Sequence, residues 1–383
     1  MHTIANGLKL GIASLCCAIL TAGAADALPE RTVLIGVSVP LSGMSAPIGA
    51  NVVNSARLAI QAANRQKNVV AGQPVHFELL VQDDRDDGNR AQIVARYLNV
   101  AGVVGVIGNV STGASLAASG IYSNAGIAHI SPASNGRTLT QQGFRSTFRM
   151  IGHDAAGCAL LGQYAVHTMG AAKVVVISNG TAFGDSLAQY CSQAIKDNGG
   201  GVSTETVKTR TSDFNAVLIH AQQADLILLA GFSEQATALA NAIKRLGLKA
   251  RLITALSGVA DSDFIGTTGD AANGTIAMEN GLPAERLPGL KALRASYAKK
   301  FEGAMSNFGL FSYDAAGMLI AAIKQADSLD RARIVDSLHH IHYKGVSGPI
   351  TFNAEGDIVS PTFTIYEVRR KKWVPIKLFG GRS

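Results

Sequence analysis

From Val33 onward the chain alternates short, nearly all-apolar runs with longer amphipathic segments, and this alternation leaves few folds open. The first series reads VLIGVSV, residues 51–66, VHFELLVQDD, residues 89–101, VVGVIG, residues 114–125 and IAHIS. Apolar runs that lack polar alternation are strands buried on both faces, and strands separated by helical segments pair in parallel. After FRSTFRMIGHD the series restarts with a helical pattern over 155–169, then KVVVIS, 185–198, GVSTETV, 214–223, LILLAG, 235–246 and RLITA. The sequence therefore predicts an α/β fold of two Rossmann-like lobes, each a parallel sheet covered by helices. The 383 residues, 47% hydrophobic and 16% charged, suffice for two cores.

Residues 149–153 are the expected first crossing between lobes. The helical patterns over 287–303, 313–326 and 331–338 are too long to complete the second lobe. The chain is thus expected to return to the first near Met278 and to cross again near GPITFNAEGD. That gives one lobe of residues 28–150 plus 278–352 and another of 151–277 plus 353–383, joined by a three-crossover hinge.

The N-terminus reads as an export signal: Lys9, an apolar run over 10–24, then Ala25-Asp26-Ala27 as a cleavage site. The expected location is periplasmic. Cys16 and Cys17 fall inside the signal, and Ala13-Ser14-Leu15 lacks the small residue a lipid-attachment cysteine wants before it. Cys158 and Cys191 remain, with a disulfide and two buried thiols both open. The formal charge is +7, from 34 basic and 27 acidic residues. The basic residues are dispersed, and the one cluster, Arg369-Arg370-Lys371-Lys372, sits between two strand-like runs as a hairpin turn does, so nucleic acid is not an expected partner.

Ligands of open parallel sheets bind beyond the carboxyl ends of the strands. Asn109-Val110-Ser111-Thr112-Gly113 stands there, before a helix, where free N–H groups, a hydroxyl and the helix dipole all favour an anion. The next strand ends likewise at Ser131–Asn135. The first loop lacks the Lys of a phosphate-binding P-loop, the spacing of a dinucleotide fingerprint and the first Gly of a nucleophile elbow, so neither a cofactor nor a catalytic serine is indicated. The acidic run at 83–88 lacks calcium-loop spacing and is expected to cap the helix from Asn89, with Asp83 supporting the cleft. His339, His340 and His342 lack a metal-site partner pattern and are expected at a surface helix end. Phe183 and Phe232 follow strands and are candidates for the cleft edge.

Four stretches, VPLSGMSAPIG, VIGNVSTGASLAASGIYSNAGIAHISPASN, AFGDSLA and GPITFNAEGDI, occur in this order. With them, residues 33–374 resemble the leucine/isoleucine/valine-type periplasmic binding proteins, receptors of branched-chain amino-acid ABC transporters. The resemblance implies a monomer that closes on a solute without catalysis and presents it to a permease and its ATPase; a sensory module of the same fold is the alternative. It implies that Ser111, Thr112 and Gly113, with Ala133, Ser134 and Asn135, hold a ligand carboxylate. Phe183 and Phe232 would cover the ligand, and Ile48 would line its side-chain pocket. Where the family places an acid for the α-ammonium, this chain has Ser257. Glu279, Asp261 or Asp314 would then have to substitute, or the ligand is an aromatic or aliphatic acid without an amine.

Overall fold

The computed structural model describes His2 and residues 29–380, apart from 210 and 262, so the expected leader and its cleavage site lie outside the described residues. The first sheet is built from β1 (Arg31–Val39), β2 (Val69–Val70), β3 (Gln73–Asp83), β4 (Gly105–Gly108), β5 (Ala128–Ser131) and β6 (Thr147–Arg149). Its order is β2-β3-β1-β4-β5-β6, parallel except for the short antiparallel pair β2 and β3. Val33, Ile35 and Val37 of β1 pack under the helices Ala46–Asn64 and Asn307–Ala326 on one face. Val106 of β4 packs with Leu98 and Tyr122 of the helices Gly88–Val100 and Thr112–Asn124 on the other.

The second sheet comprises β7 (Lys173–Ser178), β8 (Gly201–Thr206), β9 (Leu226–Ala230), β10 (Arg251–Ala255) and β11 (Ile276–Asn280). Beyond the small two-stranded β12 (Tyr343–Lys344) and β13 (Pro349–Ile350), the chain adds the hairpin β14 (Phe363–Arg369) and β15 (Lys372–Phe379). The order is β15-β14-β11-β10-β9-β7-β8. The basic cluster forms the hairpin turn: Arg370 and Lys371 both have positive φ, 50° and 59°, which matches the twist of the flanking strands.

The expected return at residue 278 falls in the middle of β11. That strand pairs with β10 on one side and with β14 on the other through Asn280, so the chain leaves the second sheet only after Asn280. The helix expected from residue 51 starts at Ala46, because Pro47 at its first turn needs no N–H partner. The pattern over 155–169 resolves into a helix, Asp154–Gln163, followed by a π-helical turn, Tyr164–Thr168. Cys158 and Cys191 form a disulfide between two packed helices of the second lobe. His339 ends the helix Arg331–His339, with Nε2 at 2.8 Å from the Arg145 carbonyl.

Three polar side chains, Arg149, Asn280 and Asn135, tie the crossings together. Arg149 at the end of β6 is fully buried and its Nε donates to Asp357 at 3.0 Å, linking the first crossing to the third. Asn280 at the end of β11 accepts from the Gly152 N–H at 2.9 Å and donates to Asn135 Oδ1 at 2.9 Å. Asn135 donates in turn to the Leu256 carbonyl at 2.9 Å.

Candidate functional site

In each sheet the strand order reverses direction once. In the first lobe β1 lies between β3 and β4; in the second, β7 lies between β8 and β9. At such a switch point the loops leaving two adjacent strands diverge and open a crevice at their carboxyl ends. The loops after β1 and β4 carry residues 42–48 and 111–113, and those after β7 and β9 carry 181–183 and 232–234. All four line one cavity of about 740 Å³ between the lobes, within the size range of small-molecule sites.

The first-lobe wall is held by carboxylates that the sequence shows only as an acidic run. Asp83 accepts from the Leu41 N–H at 2.8 Å and the Ser42 hydroxyl at 2.7 Å, while Asp86 accepts from Ser45 at 2.9 Å, fixing the loop that presents Ile48. Asp87 caps the helix Gly88–Val100 through the Arg90 N–H. Asp84 is buried and takes the Asn109 amide at 2.7 Å and the Ser38 hydroxyl at 3.1 Å, which anchors the turn into Ser111. Burial pushes its carboxyl upward and these hydrogen bonds oppose the shift. Ser111 caps the helix Thr112–Asn124: its Oγ accepts from the Ala114 N–H and its carbonyl from the Ser115 N–H. Of the first N–H groups of that turn, that of Gly113, which lines the cavity, remains for whatever enters it.

On the second-lobe wall, Thr181 caps the helix Ala182–Asp197 through the Gly184 N–H at 3.0 Å, which sets Phe183 at the cavity. Phe232, at the start of the helix Ser233–Arg245, stacks on Phe183 with ring centroids 5.7 Å apart and planes 15° from parallel. Beyond β10, Leu256 adopts a positive φ of 56°, a backbone state that costs about 1–3 kcal/mol and recurs at ligand sites. It carries the chain into Ser257 and Asp261, both on the cavity wall.

Of the residues expected in the site, Ile48, Ser111, Gly113, Phe183, Phe232 and Ser257 line the cavity. Thr112, Ala133, Ser134 and Asn135 do not; they are buried one layer behind it. Thr112 Oγ1 accepts from the Gly136 N–H at 3.1 Å, joining the two anion loops to each other, and Asn135 is occupied by Leu256 and Asn280. Thr112→Ala is therefore expected to lower the free energy of unfolding by about 1–2 kcal/mol in urea titration, as the Gly136 N–H loses its acceptor.

Of the three acids weighed as substitutes at Ser257, Asp314 is excluded by place. It lies within the first lobe and caps the Val346 and Ser347 N–H groups at 2.9 and 2.7 Å. Glu279 is buried behind the 257–261 turn and accepts from the Gly258 and Ala260 N–H groups at 2.9 and 3.3 Å. Burial, with the Asp261 charge added, pushes its carboxyl up to about 8. Asp261 alone of the three lines the cavity. Sequence reasoning also missed Thr181, Thr209, Glu234 and Phe308 on the wall, and read Asp86 only as part of a helix-capping acidic run; of these, Thr181 alone adjoins a stretch quoted for the family resemblance. Among the described residues no cluster of His, Cys, Asp or Glu is arranged to hold a metal ion.

A family model described as periplasmic binding protein matches residues 32–372. The chain belongs to the periplasmic binding protein family. Members of this family bind a ligand and do not transform it. The Leu/Ile/Val-binding protein homolog 1 of Brucella abortus is 28% identical over 339 residues, spanning 88% of this chain and 90% of its own. A leucine binding protein of Thermotoga maritima superposes with a TM-score of 0.82 at 23% identity, over 90% of this chain and 98% of its own. A solute binding protein of an ABC transporter from Rhodopseudomonas palustris, crystallised with 3,4-dihydroxybenzoic acid, superposes with a TM-score of 0.81 at 22% identity, over 92% and 98%. The two superpositions establish the two-lobed fold, which was expected from the βα alternation.

Proposed function

We propose that this periplasmic binding protein is the exported receptor of an ABC importer and captures a small carboxylate-bearing solute between its lobes. The observation that carries the reading is the pairing across one cavity of an uncommitted helix N-terminus, Ser111–Gly113, with the aromatic wall of Phe183 and Phe232. A carboxylate at the helix start takes charge-assisted hydrogen bonds of about 1.5–3 kcal/mol each and gains a further contribution from the dipole. Micromolar affinity needs about 8 kcal/mol net, so two or three such bonds plus apolar burial against the phenylalanines suffice. The relatives named for Leu, Ile and Val and the neighbour holding a dihydroxybenzoate both handle small carboxylic acids, which supports the same class here.

Closure follows from ligand contacts made to both lobes at once, since a ligand shifts an equilibrium only by its differential affinity for the two states. In this reading the protein acts as a monomer, loses its leader near Ala27, and hands its ligand to permease and ATPase subunits. A thermal-shift screen of amino acids and aromatic and aliphatic acids tests it. A ligand at 100 times its dissociation constant adds about 2.7 kcal/mol, so a true ligand raises the melting temperature by several degrees. A flat response across all three classes would contradict the proposal.

A further inference from the structure

The basic hairpin turn at Arg369–Lys372 does not stand alone on the surface. Lys371 Nζ lies 3.2 Å from Asp270, and Lys371 and Lys244 together hold the Asp270 carboxyl below its usual range, so the turn and the end of the helix Ser233–Arg245 share one face. Glu367 of β14 makes a second join, pairing with Arg251 at the start of β10 and with Arg369 at 2.6 Å. Lys249, Arg370 and Lys372 are exposed on the same face, and none of them is in an ion pair among the described residues. Basic residues dispersed along the sequence thus converge on the cluster, and they outnumber the acids that touch them, Asp270, Glu367 and, through its backbone carbonyl, Asp225. Between Arg245 and Lys249 the chain also holds out an apolar side chain: Leu246 is 44% exposed. This face lies at the amino ends of β10 and β11, where the last residues of the antiparallel β14 meet Ile276, and the cavity lies at the opposite, carboxyl ends.

We propose that this pole of the second lobe is a docking surface for a membrane of anionic phospholipid. Cations around an exposed aliphatic side chain match a lipid interface, where the bases meet headgroup phosphates and the leucine reaches the acyl boundary. A surface for single-stranded nucleic acid stacks bases on aromatic side chains, whereas the large apolar side chain exposed here is Leu246. Each Lys or Arg brought near an anionic surface strengthens binding by about fivefold. The pair of Lys371 with Asp270 does not oppose this, since both side chains are more than 70% exposed, and exposed pairs are cheaply broken. Because the cavity is at the other end of the strands, the protein can rest on a membrane and still hold its solute. The inference goes beyond the receptor reading and does not depend on the ligand's identity.

Co-sedimentation of the mature chain with lipid vesicles tests this. The probes are vesicles of phosphatidylethanolamine containing about one-third phosphatidylglycerol, and neutral vesicles of phosphatidylcholine. The expected result is binding to the anionic vesicles alone, weakened when salt is raised to about 0.3 M. Lys249→Glu combined with Lys372→Glu removes two unpaired cations and should weaken binding at least about 25-fold, with the melting temperature unchanged. The same charge change on the first lobe, Lys291→Glu with Lys299→Glu, should leave binding within about threefold, because screening confines the effect to the local surface. Leu246→Ser should weaken binding by about 10-fold through the lost apolar contact. Equal binding to both vesicle types, no binding to either, or full binding by the Lys249/Lys372 variant overturns the proposal. An equal loss in the first-lobe variant also overturns it, since net charge alone would then account for the attraction. Duplex DNA bound as tightly as the anionic vesicles, with Leu246→Ser without effect on either, would show a general polyanion surface and overturn the lipid assignment.

Discussion

Replacing Arg149 by alanine is expected to lower the free energy of unfolding by about 3–5 kcal/mol, the usual cost of stripping one partner from a buried ion pair. Arg149 is fully buried at the end of β6, where the chain first leaves the first lobe. Its guanidinium donates to the Gly136 carbonyl at 2.6 Å, to Thr140 Oγ1 at 2.7 Å and through Nε to Asp357 at 3.0 Å. Its backbone N–H donates to the Gly356 carbonyl at 2.9 Å. One side chain therefore fastens the first crossing to the third and supports the loop that reaches Thr112. Arg149→Lys, which loses the planar fork, should fall between wild type and alanine. Urea denaturation followed by circular dichroism measures both, and a loss under about 1 kcal/mol for alanine would mean that the crossings are held by packing instead.

Gly113→Leu should act in the opposite way, leaving the fold intact and removing ligand binding. Gly113 is the second residue of the helix Thr112–Asn124, and a Cβ built on it meets only the Ala182 Cβ, at 3.9 Å. Replacing a helical glycine favours the helix by about 0.5–1 kcal/mol, so the melting temperature should hold or rise slightly. The added side chain extends into the cavity between the anion-binding turn and the second lobe. It blocks the N–H groups and opposes closure, and an affinity loss of about 100-fold or more is expected, as the two or three hydrogen bonds at that turn are lost together. Undiminished binding in this variant would put the ligand elsewhere.

The architecture was legible because strands such as VVVIS and LILLA are apolar without interruption and lie fully inside their sheet. The end of β11 was not, because Glu279 and Asn280 are polar residues buried in a strand; their partners, the 257–261 turn and the Gly152 N–H, come from distant parts of the chain. The same holds in the site. Ser111, Phe183 and Phe232 follow strands directly, and helix-start chemistry exposes them to a reader of the sequence. The burial of Thr112 and Asn135 behind the wall depends on contacts to Gly136, Leu256 and Asn280, which no local spacing encodes. The disulfide stayed open for a similar reason: two cysteines 33 residues apart on separate helices give no local sign of pairing.

The central claim is that the helix start at Ser111–Gly113 grips a carboxylate. Its most direct test is calorimetric titration of the wild-type protein with the acid that gives the largest thermal shift and with the methyl ester of that acid. Loss of the anionic oxygens removes about 3 kcal/mol of charge-assisted hydrogen bonding, so the ester should bind about 100-fold more weakly. An ester that binds as tightly as its parent acid would contradict the account.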